Sequence, residues 1–482
     1  MLERFLLDYW PHLALILSII VSGAAAIHAA MTKDDVRAAI GWVGICLASP
    51  LVGPVAYLIA GINRIRRDTL SEQHSLLRQA YTANLSAYAA DVGPTFGPQF
   101  ASLKTLGDRV SQFPLLAGNH IQLLRSGDET YPAMIEAIDQ AQRSVALQSY
   151  IFDNDRAGRA VADALVRAHQ RGIQVRVLID AIGAKYSRPP IAGLLRRQGV
   201  RTALFMTNPL GLRMPYANLR SHRKILVVDG NIAFTGGMNI RAAFLGDGLE
   251  PATARDTHFR LEGPAVAQIL AVFTHDWTFT TRETLPTDIW GSGPAELLPP
   301  DVAIRCVASG PDRHQAGSHD MLLGALSVAQ RHIRIQSPYF LPDQILLGAL
   351  NTAARRGVQV DIVIPGRNNL RLINYAMTAQ LDQAIRGGCR IWRARGPFDH
   401  AKLLTIDGIW SYVGSSNLDP RSLRLNFELD LEVYDPLLAE TIANHIDSSI
   451  DHAIPVTQDG LAALPWLKQL RNRVIWLASP YL

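Results

Sequence analysis

The chain has 482 residues, of which 48% are hydrophobic and 18% are charged, and its net charge is +5. This length allows roughly three domains with a large core, and the composition is apolar for a soluble enzyme. The three cysteines are scattered and lack the spacing of a metal site, so they argue against a disulfide scaffold and against bound zinc. We therefore expect no metal and no cofactor. The basic charge alone does not distinguish anionic lipid from nucleic acid as a partner.

The apolar excess is concentrated at the N-terminus, where residues 13–31 and 38–62 contain no Asp, Glu, Lys or Arg. Each stretch is close to the ~20 residues that an α-helix needs to cross a bilayer. The short polar segment between them predicts a two-helix transmembrane hairpin, with a kink in the second helix at Pro50 and Pro54. A cleaved signal peptide is the alternative, but the start of the chain is not strongly basic and a second span follows.

Basic residues follow the predicted hairpin directly, at Arg64, Arg66 and Arg67, whereas the turn inside the hairpin is charge-balanced. The positive-inside rule therefore predicts a multi-pass protein of the inner (cytoplasmic) membrane, with the rest of the chain on the cytoplasmic side. We predict four segments: the hairpin over 1–67, a linker or helical collar over 68–115, a first half over 116–290, and a second half over 291–482 that ends in an amphipathic tail.

A strand–helix–strand pattern occurs twice in the remaining sequence. It predicts strands over 144–152 and 173–179 around a helix over 156–170, and then strands over 332–340 and 358–364 around a helix over 344–356. This spacing is typical of parallel sheets covered by helices, so the predicted fold class is α/β with two halves related by internal duplication. Duplication without function is the alternative, but each half also carries a copy of one polar motif.

The motif reads H-x-K-x4-D and is followed in both copies by an asparagine at the same offset from the histidine. The residues are His222, Lys224, Asp229 and Asn239 in the first copy, and His400, Lys402, Asp407 and Asn417 in the second. In an extended strand the histidine and the lysine of a copy point to the same face. The aspartates stand just before Gly230 and Gly408, where hairpin turns are expected, so we interpret them as partly structural.

Two imidazoles and two ammonium groups suit a reaction at a phosphodiester. One histidine can attack phosphorus while the other protonates the leaving oxygen, and the lysines can hold the phosphate oxygens. An attacking imidazole needs an acceptor on its other nitrogen, and the downstream carboxylates Asp256 and Glu428 are the candidates for this orienting role. Asp256 could instead form a plain salt bridge with its neighbour Arg255.

The paired motifs resemble those of the phospholipase D superfamily, and the sequence is similar over nearly its whole length to the bacterial cardiolipin synthases of that superfamily. One departure is that no aromatic residue stands immediately before Arg255, where the family places a tryptophan. The segments that carry the resemblance are PLVGP at 50–54, SHRKILVVDG at 221–230, TGGMNI at 235–240, RDTH at 255–258, EGPAV at 262–266, QSPYF at 336–340, GSSNLD at 414–419 and RLNFE at 424–428.

The resemblance implies two phospholipase D-like α/β/α halves with the site between them, a phosphohistidine intermediate and no metal. It also implies phosphatidyl transfer between two phosphatidylglycerol molecules of the membrane, giving cardiolipin and glycerol, with His222 as the nucleophile. The catalytic group would comprise both H-x-K-x4-D copies, and Asp256 and Glu428 would orient the histidines. The phosphate oxygens would be held by the two lysines together with Asn239, Asn417 and Ser415.

Two other classes of protein remain as alternatives. A phospholipase D-type hydrolase of lipid or nucleic acid could use the same histidines and lysines. Because no stripe of aromatic and basic residues predicts a groove for single strands, we expect no nucleic-acid partner. A non-catalytic membrane scaffold is disfavoured because both motifs are intact. The second substrate could also be phosphatidylethanolamine or another alcohol, and the sequence predicts no oligomeric state.

Overall fold

The computed structural model describes residues 2–33, 36–61, 85–111, 113–206, 219–246, 253–291, 301–310 and 317–479. The described residues fall into two compact units, an N-terminal one that ends at 61 and a larger one that begins at 85. The predictions that concern residues 64–67, most of the predicted linker before 85, and residues 247–252 of the loop before Arg255 lie outside the described residues.

The described part of the N-terminal unit contains three helices, α1 (Leu2–Thr32), α2 (Val36–Ala48) and α3 (Val52–Ala56), and a π-helical turn over Tyr57–Gly61. Among the described residues, one helix is long and apolar enough to cross a membrane, and it covers Tyr9–Thr32. The predicted second span is divided, because α2 ends at Ala48 and α3 begins only after Pro50. A residue before proline is disfavoured in the helical region, which explains the break.

Helices α1 and α2 pack together around a small cluster that contains Ala26, Ala29, Trp42 and Cys46. The Ser22 hydroxyl donates a hydrogen bond to the Cys46 carbonyl, which crosses from one helix to the other. His28 Nδ1 lies 2.8 Å from the Tyr57 hydroxyl. Large apolar side chains of α1, such as Leu17, are exposed instead. The unit therefore buries a small core and presents an apolar exterior.

Among its described residues, the larger unit is built on one 15-stranded sheet and a separate two-stranded sheet of β7 with β13. The strands are β1 (Leu116–Leu124), β2 (Ser144–Ser149), β3 (Gln174–Asp180), β4 (Arg201–Phe205), β5 (Ile225–Val228), β6 (Ile232–Gly236), β7 (Ala254–Arg255), β8 (His258–Glu262), β9 (Val302–Ser309), β10 (His332–Gln336), β11 (Gln359–Pro365), β12 (Arg390–Ala394), β13 (Phe398–Asp399), β14 (Leu403–Ile406), β15 (Trp410–Gly414), β16 (Glu428–Tyr434) and β17 (Ile454–Val456).

Helices cover both faces of the large sheet, and every residue of β2 and β16 is buried, as expected for strands covered on both sides. Short 3-10 turns cover Leu85–Tyr88, Gly183–Lys185 and Ala242–Phe244. The α-helices are α4 (Gly93–Phe96), α5 (Pro98–Val110), α6 (Gly127–Gln140), α7 (Arg156–Gln170), α8 (Ile191–Arg197), α9 (Ala265–Thr281), α10 (Thr287–Trp290), α11 (Gly317–Val328), α12 (Gln344–Arg355), α13 (Arg371–Arg386), α14 (Pro420–Arg424), α15 (Pro436–Asp451), α16 (Gln458–Ala462) and α17 (Trp466–Trp476).

The strand order reveals two halves. It runs β17-β12-β11-β10-β14-β15-β16-β9-β1-β8-β6-β5-β2-β3-β4, so that the order from β9 outward to β12 repeats the order from β1 outward to β4. Strands β1 and β9 pair antiparallel at the centre and join the halves into one sheet. The predicted internal duplication is confirmed.

The predicted strand–helix–strand units are present in both halves. Helices α7 and α12 have the predicted bounds to within one residue, and the pairs β2–β3 and β10–β11 are parallel, as predicted. The sheet is nevertheless mixed, because β5 and β14, which follow the two motif histidines, pair antiparallel to β2 and β10. Strands β2 and β10 also end earlier than predicted, which leaves Tyr150 and Tyr339 in the loops beyond them.

The described part of the predicted linker contributes to the core of the second half. Helix α5 packs against α11, and its Phe100 and Leu103 belong to the same buried cluster as Met321 and Leu322. The helix over Pro98–Val110 is therefore packed on the second half.

Candidate active site

Each motif histidine is fixed by a main-chain hydrogen bond to the opposite half. The His222 N–H donates to the Phe427 carbonyl at 2.9 Å, and the His400 N–H donates to the Arg255 carbonyl at 2.7 Å. The latter contact continues the pairing of β13 with β7. Because these bonds cross the junction, the two histidine segments meet there although 178 positions of sequence separate their motifs.

A buried carboxylate contacts each imidazole, and it too comes from the opposite half. His222 Nδ1 lies 3.0 Å from Glu428 Oε2, and His400 Nδ1 lies 2.8 Å from Asp256 Oδ2. Spacing along the chain matches each carboxylate with the histidine upstream of it, so the crossed pairing was not visible in the sequence. The alternative salt bridge of Asp256 with Arg255 is not the arrangement found; Asp256 contacts His400.

The two imidazoles are close enough to act on one phosphorus atom. Their ring centroids lie 6.5 Å apart. Since Nδ1 of each ring is engaged by a carboxylate, Nε2 is the nitrogen that each ring can offer to a substrate. The side chains of Asn239 and Asn417 are buried, and Asn239 Oδ1 accepts from the Ile151 N–H at 3.1 Å, so its amide N–H groups can face an anion.

Aromatic side chains that the sequence analysis did not select surround the imidazoles. Tyr150 lies 5.3 Å from His222, and Tyr339, Phe398 and Phe244 lie 5.8 to 6.3 Å from His400, all between ring centroids. Tyr150 and Tyr339 follow the carboxyl ends of β2 and β10, where ligand sites of α/β sheets lie, and this signal could have identified them. The loop before Arg255 has no aromatic residue immediately before that arginine, but Phe244, earlier in the same loop, places an aromatic ring near His400.

Burial shifts the protonation equilibria of the four basic groups toward neutrality. It lowers the pKa of Lys224 to about 7 and that of Lys402 to about 8, although neighbouring carboxylates oppose the effect. Burial also lowers the pKa of His222 and of His400, so both imidazoles are neutral at pH 7. Lys402 Nζ lies 2.9 Å from His400 Nδ1, and Lys224 Nζ lies 5.8 Å from the centroid of the Tyr150 ring.

The two carboxylates differ in charge. Burial raises the pKa of Asp256 to about 7. Burial also acts to raise the pKa of Glu428, but His222, Lys224 and a hydrogen bond from Ser415 outweigh it, and the net shift is downward. Glu428 is therefore ionised at neutral pH, whereas the raised pKa of Asp256 allows this carboxyl to exchange a proton near neutral pH.

Family comparison agrees with this two-half arrangement. The family model described as "Cardiolipin synthase, PLD-like domain" matches residues 134–277 and 322–450, one segment in each half. The chain belongs to this family. A second model, described as "Phospholipase D-nuclease N-terminal", matches residues 20–61 in the N-terminal unit.

Individual relatives extend the similarity over nearly the whole chain. A protein of Pseudomonas putida named cardiolipin synthase A is 32% identical in an alignment of 478 positions that covers 95% of each chain. Its namesake from Pseudomonas aeruginosa is 32% identical in an alignment of 476 positions that covers 95% of this chain and 93% of the relative. The solved structure of phosphatidylserine synthase from Haemophilus influenzae covers 79% of this chain and 100% of its own at 18% identity, and its TM-score of 0.61 shows a shared fold.

Within this family fold, the two motif aspartates, which the sequence analysis grouped with the catalytic residues, contact backbone N–H groups and not the imidazoles. Asp229 accepts hydrogen bonds of 2.7 to 2.9 Å from the backbone N–H groups of residues 142–144, and Asp407 does the same at 2.8 to 2.9 Å with residues 330–332. Strand β5 separates Asp229 from Lys224 by ~16 Å. Asp229 and Gly230 both have positive φ, as a type I′ hairpin turn requires. The partly structural interpretation agrees with these contacts.

Ser415 also differs from its predicted place as a phosphate ligand. Its hydroxyl donates to Glu428 Oε2 at 2.6 Å, and its carbonyl lies 3.1 Å from His222 Nδ1. The hydroxyl is thus committed to the carboxylate that holds His222. Gly237 stands at the corresponding place of the first half, where a Cβ atom would come within 2.4 Å of Asp256 Oδ1.

Proposed function

We propose that the chain is a membrane-bound phosphatidyltransferase that makes cardiolipin and glycerol from two phosphatidylglycerol molecules through a phosphohistidine. The observation that carries the proposal is the pair of imidazoles 6.5 Å apart, each held through Nδ1 by a buried carboxylate of the other half. Membership of a family whose relatives are named cardiolipin synthase A supports the choice of substrate.

In the first step, Nε2 of His222 attacks the phosphorus of one phosphatidylglycerol. The bond from phosphorus to the headgroup glycerol breaks, and His400 gives its proton to the departing glycerol oxygen. Burial keeps His222 neutral and therefore nucleophilic, and the ionised Glu428 stabilises the positive charge that the ring acquires. The bound phosphodiester is an anion, so it raises the pKa of His400 and allows this ring to carry the proton.

In the second step, neutral His400 removes a proton from a headgroup hydroxyl of the second phosphatidylglycerol. The oxygen attacks phosphorus, the nitrogen–phosphorus bond breaks, and His222 is restored. Lys224, Lys402, Asn239 and Asn417 hold the non-bridging oxygens through both steps, and their charge and N–H groups matter most as negative charge grows at phosphorus.

We also propose that the N-terminal unit is a membrane hairpin, with α1 as one arm and α2 with α3 as the other. The apolar exterior of α1 and the match of residues 20–61 to an N-terminal family segment support this. Arg64, Arg66 and Arg67 favour a cytoplasmic larger unit. Cysteines introduced at Lys33 and at Asp91 test it in sealed cells: a membrane-impermeant reagent reaching Asp91→Cys but not Lys33→Cys from outside would contradict this orientation.

The test of the reaction is a product assay with the purified full chain in vesicles that contain labelled phosphatidylglycerol, beside a His222→Ala control. The expected products are cardiolipin and glycerol, and the control forms neither. Phosphatidic acid without cardiolipin would identify a hydrolase and overturn the proposal. Addition of phosphatidylethanolamine to the same vesicles determines whether a second lipid can act as acceptor.

A further inference from the structure

Helix α17 presents a row of apolar side chains to solvent. We call the row the α17 stripe and define it by five residues whose exposed fractions are between 50% and 72%: Trp466, Leu467, Leu470, Val474 and Leu477. Their spacing places them on one side of the helix. Exposure of so many large apolar groups on one short helix is unusual for a surface that faces only water.

The opposite side of α17 is firmly attached to the protein. Asn472 is buried, and the Arg471 guanidinium lies 3.6 Å from the centroid of the Tyr375 ring on α13. Gln469 Nε2 donates to the Leu464 carbonyl at 2.7 Å, which fixes the start of the helix. The helix is therefore folded in place, and its stripe has a defined direction before any partner binds.

The charged residues of α17 itself are all basic. Lys468, Arg471 and Arg473 belong to the same helix, and the sequence from 460 to 482 contains no Asp or Glu. An apolar face with tryptophan at its edge and cations beside it is the composition of a helix that lies in the headgroup region of an anionic bilayer. A protein partner would have to satisfy Lys468 and Arg473 as well as an apolar row, whereas Arg471 already stacks on Tyr375.

A series of contacts connects α17 with the candidate site. Helix α13, on which α17 packs, begins after the exposed Leu370 and carries the exposed Leu372 in its first turn. The preceding Asn369 accepts a hydrogen bond of 2.8 Å from the Tyr339 hydroxyl. The Tyr339 ring in turn lies 6.1 Å from His400.

We propose that the α17 stripe lies in the headgroup region of an anionic bilayer and holds the His400 side of the site at the membrane surface. This deepens the proposed function, because it rests on a substrate that is a membrane lipid. It gives the larger unit a second membrane contact in addition to the N-terminal unit. Lipids could then reach His400 without leaving the bilayer, which favours transfer to a lipid hydroxyl over transfer to water.

The depth of the stripe can be measured without catalysis. The full chain with His222→Ala, which does not consume the lipid, receives a fluorescent label at Leu470→Cys or, as a matched exposed apolar position on α12, at Ile345→Cys. The described native cysteines are buried. In vesicles of phosphatidylcholine and phosphatidylglycerol, a lipid-bound quencher should act on the label at 470 and an aqueous quencher on the label at 345.

Three results would overturn the proposal. A label at 470 that is as open to the aqueous quencher as that at 345 would mean that the stripe stays in water. Protection from both quenchers would mean that protein covers the stripe. Equal depth in vesicles of phosphatidylcholine alone would remove the requirement for anionic lipid. None of these readings depends on whether the chain makes cardiolipin, so they are distinct from failure of the proposed function.

Activity provides a second test. The triple variant Leu467→Gln, Leu470→Gln and Val474→Gln should lose roughly tenfold in transfer on vesicles, because most of the apolar area available for insertion is gone. It should match the unmodified chain in detergent micelles, where substrate arrives without a bilayer. The control is Ile345→Gln with Leu437→Gln, which changes exposed apolar residues elsewhere. An equal loss in micelles, or no loss on vesicles, would contradict the proposal.

Discussion

The two halves share one scaffold but treat their imidazoles differently. The second half offers His222 a carboxylate, Glu428, that also accepts hydrogen bonds from Ser415 at 2.6 Å and from Asn426 at 3.1 Å. The first half provides His400 with the shorter Asp256, whose Oδ1 accepts a hydrogen bond of 2.8 Å from the Thr257 N–H. Asp256 faces Gly237, and Ser415 occupies the corresponding position in the second half. The repeated motif is thus symmetric in sequence but not in electrostatics.

This difference suggests a division of labour. A permanently ionised partner is suited to a ring that becomes positively charged when phosphorylated, and Glu428 is held ionised. A partner whose pKa is about 7 is suited to a ring that gains and loses protons, and Asp256 has this property. The comparison therefore supports His222 as the nucleophile and His400 as the acid and base.

The most severe test of this division is to remove each histidine in turn. Both His222→Ala and His400→Ala should lose transfer by about 10³-fold or more. With labelled lipid and rapid denaturation, His400→Ala should retain a covalent phosphatidyl adduct, because its nucleophile is intact, and His222→Ala should form none. The reverse distribution of adducts would exchange the two roles.

The crossed pairing predicts which residues act as one unit. Glu428→Gln should lower kcat by about 10²-fold, because His222 loses its acceptor and its preferred tautomer. The same change in a His222→Ala chain should lower kcat almost no further, and Asp256→Asn should lower kcat no further in a His400→Ala chain. Additive losses in either double variant would contradict the pairing across the halves.

Exchange of the small residues behind the carboxylates tests the asymmetry itself. Gly237→Ser should lower kcat by roughly tenfold or more, because its Cβ would come within 2.4 Å of Asp256 Oδ1 and displace the carboxylate from His400. Ser415→Gly removes one hydrogen bond to Glu428, worth about 1 kcal/mol, and should cost only about fivefold. Ser415→Ala is the control for the hydroxyl alone. A larger fall in kcat for Ser415→Gly than for Gly237→Ser would contradict the predicted order of the two effects.

The pH profile should reflect the lowered pKa values of the lysines. Lys224 keeps its charge below its pKa of about 7 and Lys402 below its pKa of about 8, so kcat/KM should fall as pH rises through this range. The corresponding fall in kcat should occur at higher pH than the fall in kcat/KM, because a bound phosphate anion favours the charged lysines. The measurement is initial rate against pH in micelles. A kcat/KM that still rises above this range would show that neither ammonium is required.

Much of the fold and the chemistry was readable from the sequence, but the contacts at the site were not. Helices α7 and α12 were predicted because their apolar periodicity is local, and the histidines and lysines because the motif is repeated. The second span was predicted to kink at Pro50 and Pro54, and the structure instead divides it after Ala48, because a residue before proline is disfavoured in the helical region. The partnership of His222 with Glu428 depends on β1 and β9 joining the halves, and no local pattern encodes that pairing.

The smallest effect on catalysis should come from the motif aspartates, which separates their role from that of the histidines. Asp229→Asn replaces a carboxylate that accepts three backbone hydrogen bonds, so it should cost roughly 1.5–3 kcal/mol of stability and lower the Tm. Asparagine tolerates the positive φ at this turn, so the backbone itself is not strained. Because the site lies ~16 Å away along β5, kcat per folded molecule should change by no more than about twofold. Asp407→Asn should behave in the same way in the second half. A large fall in kcat without a fall in Tm would return these aspartates to the catalytic group.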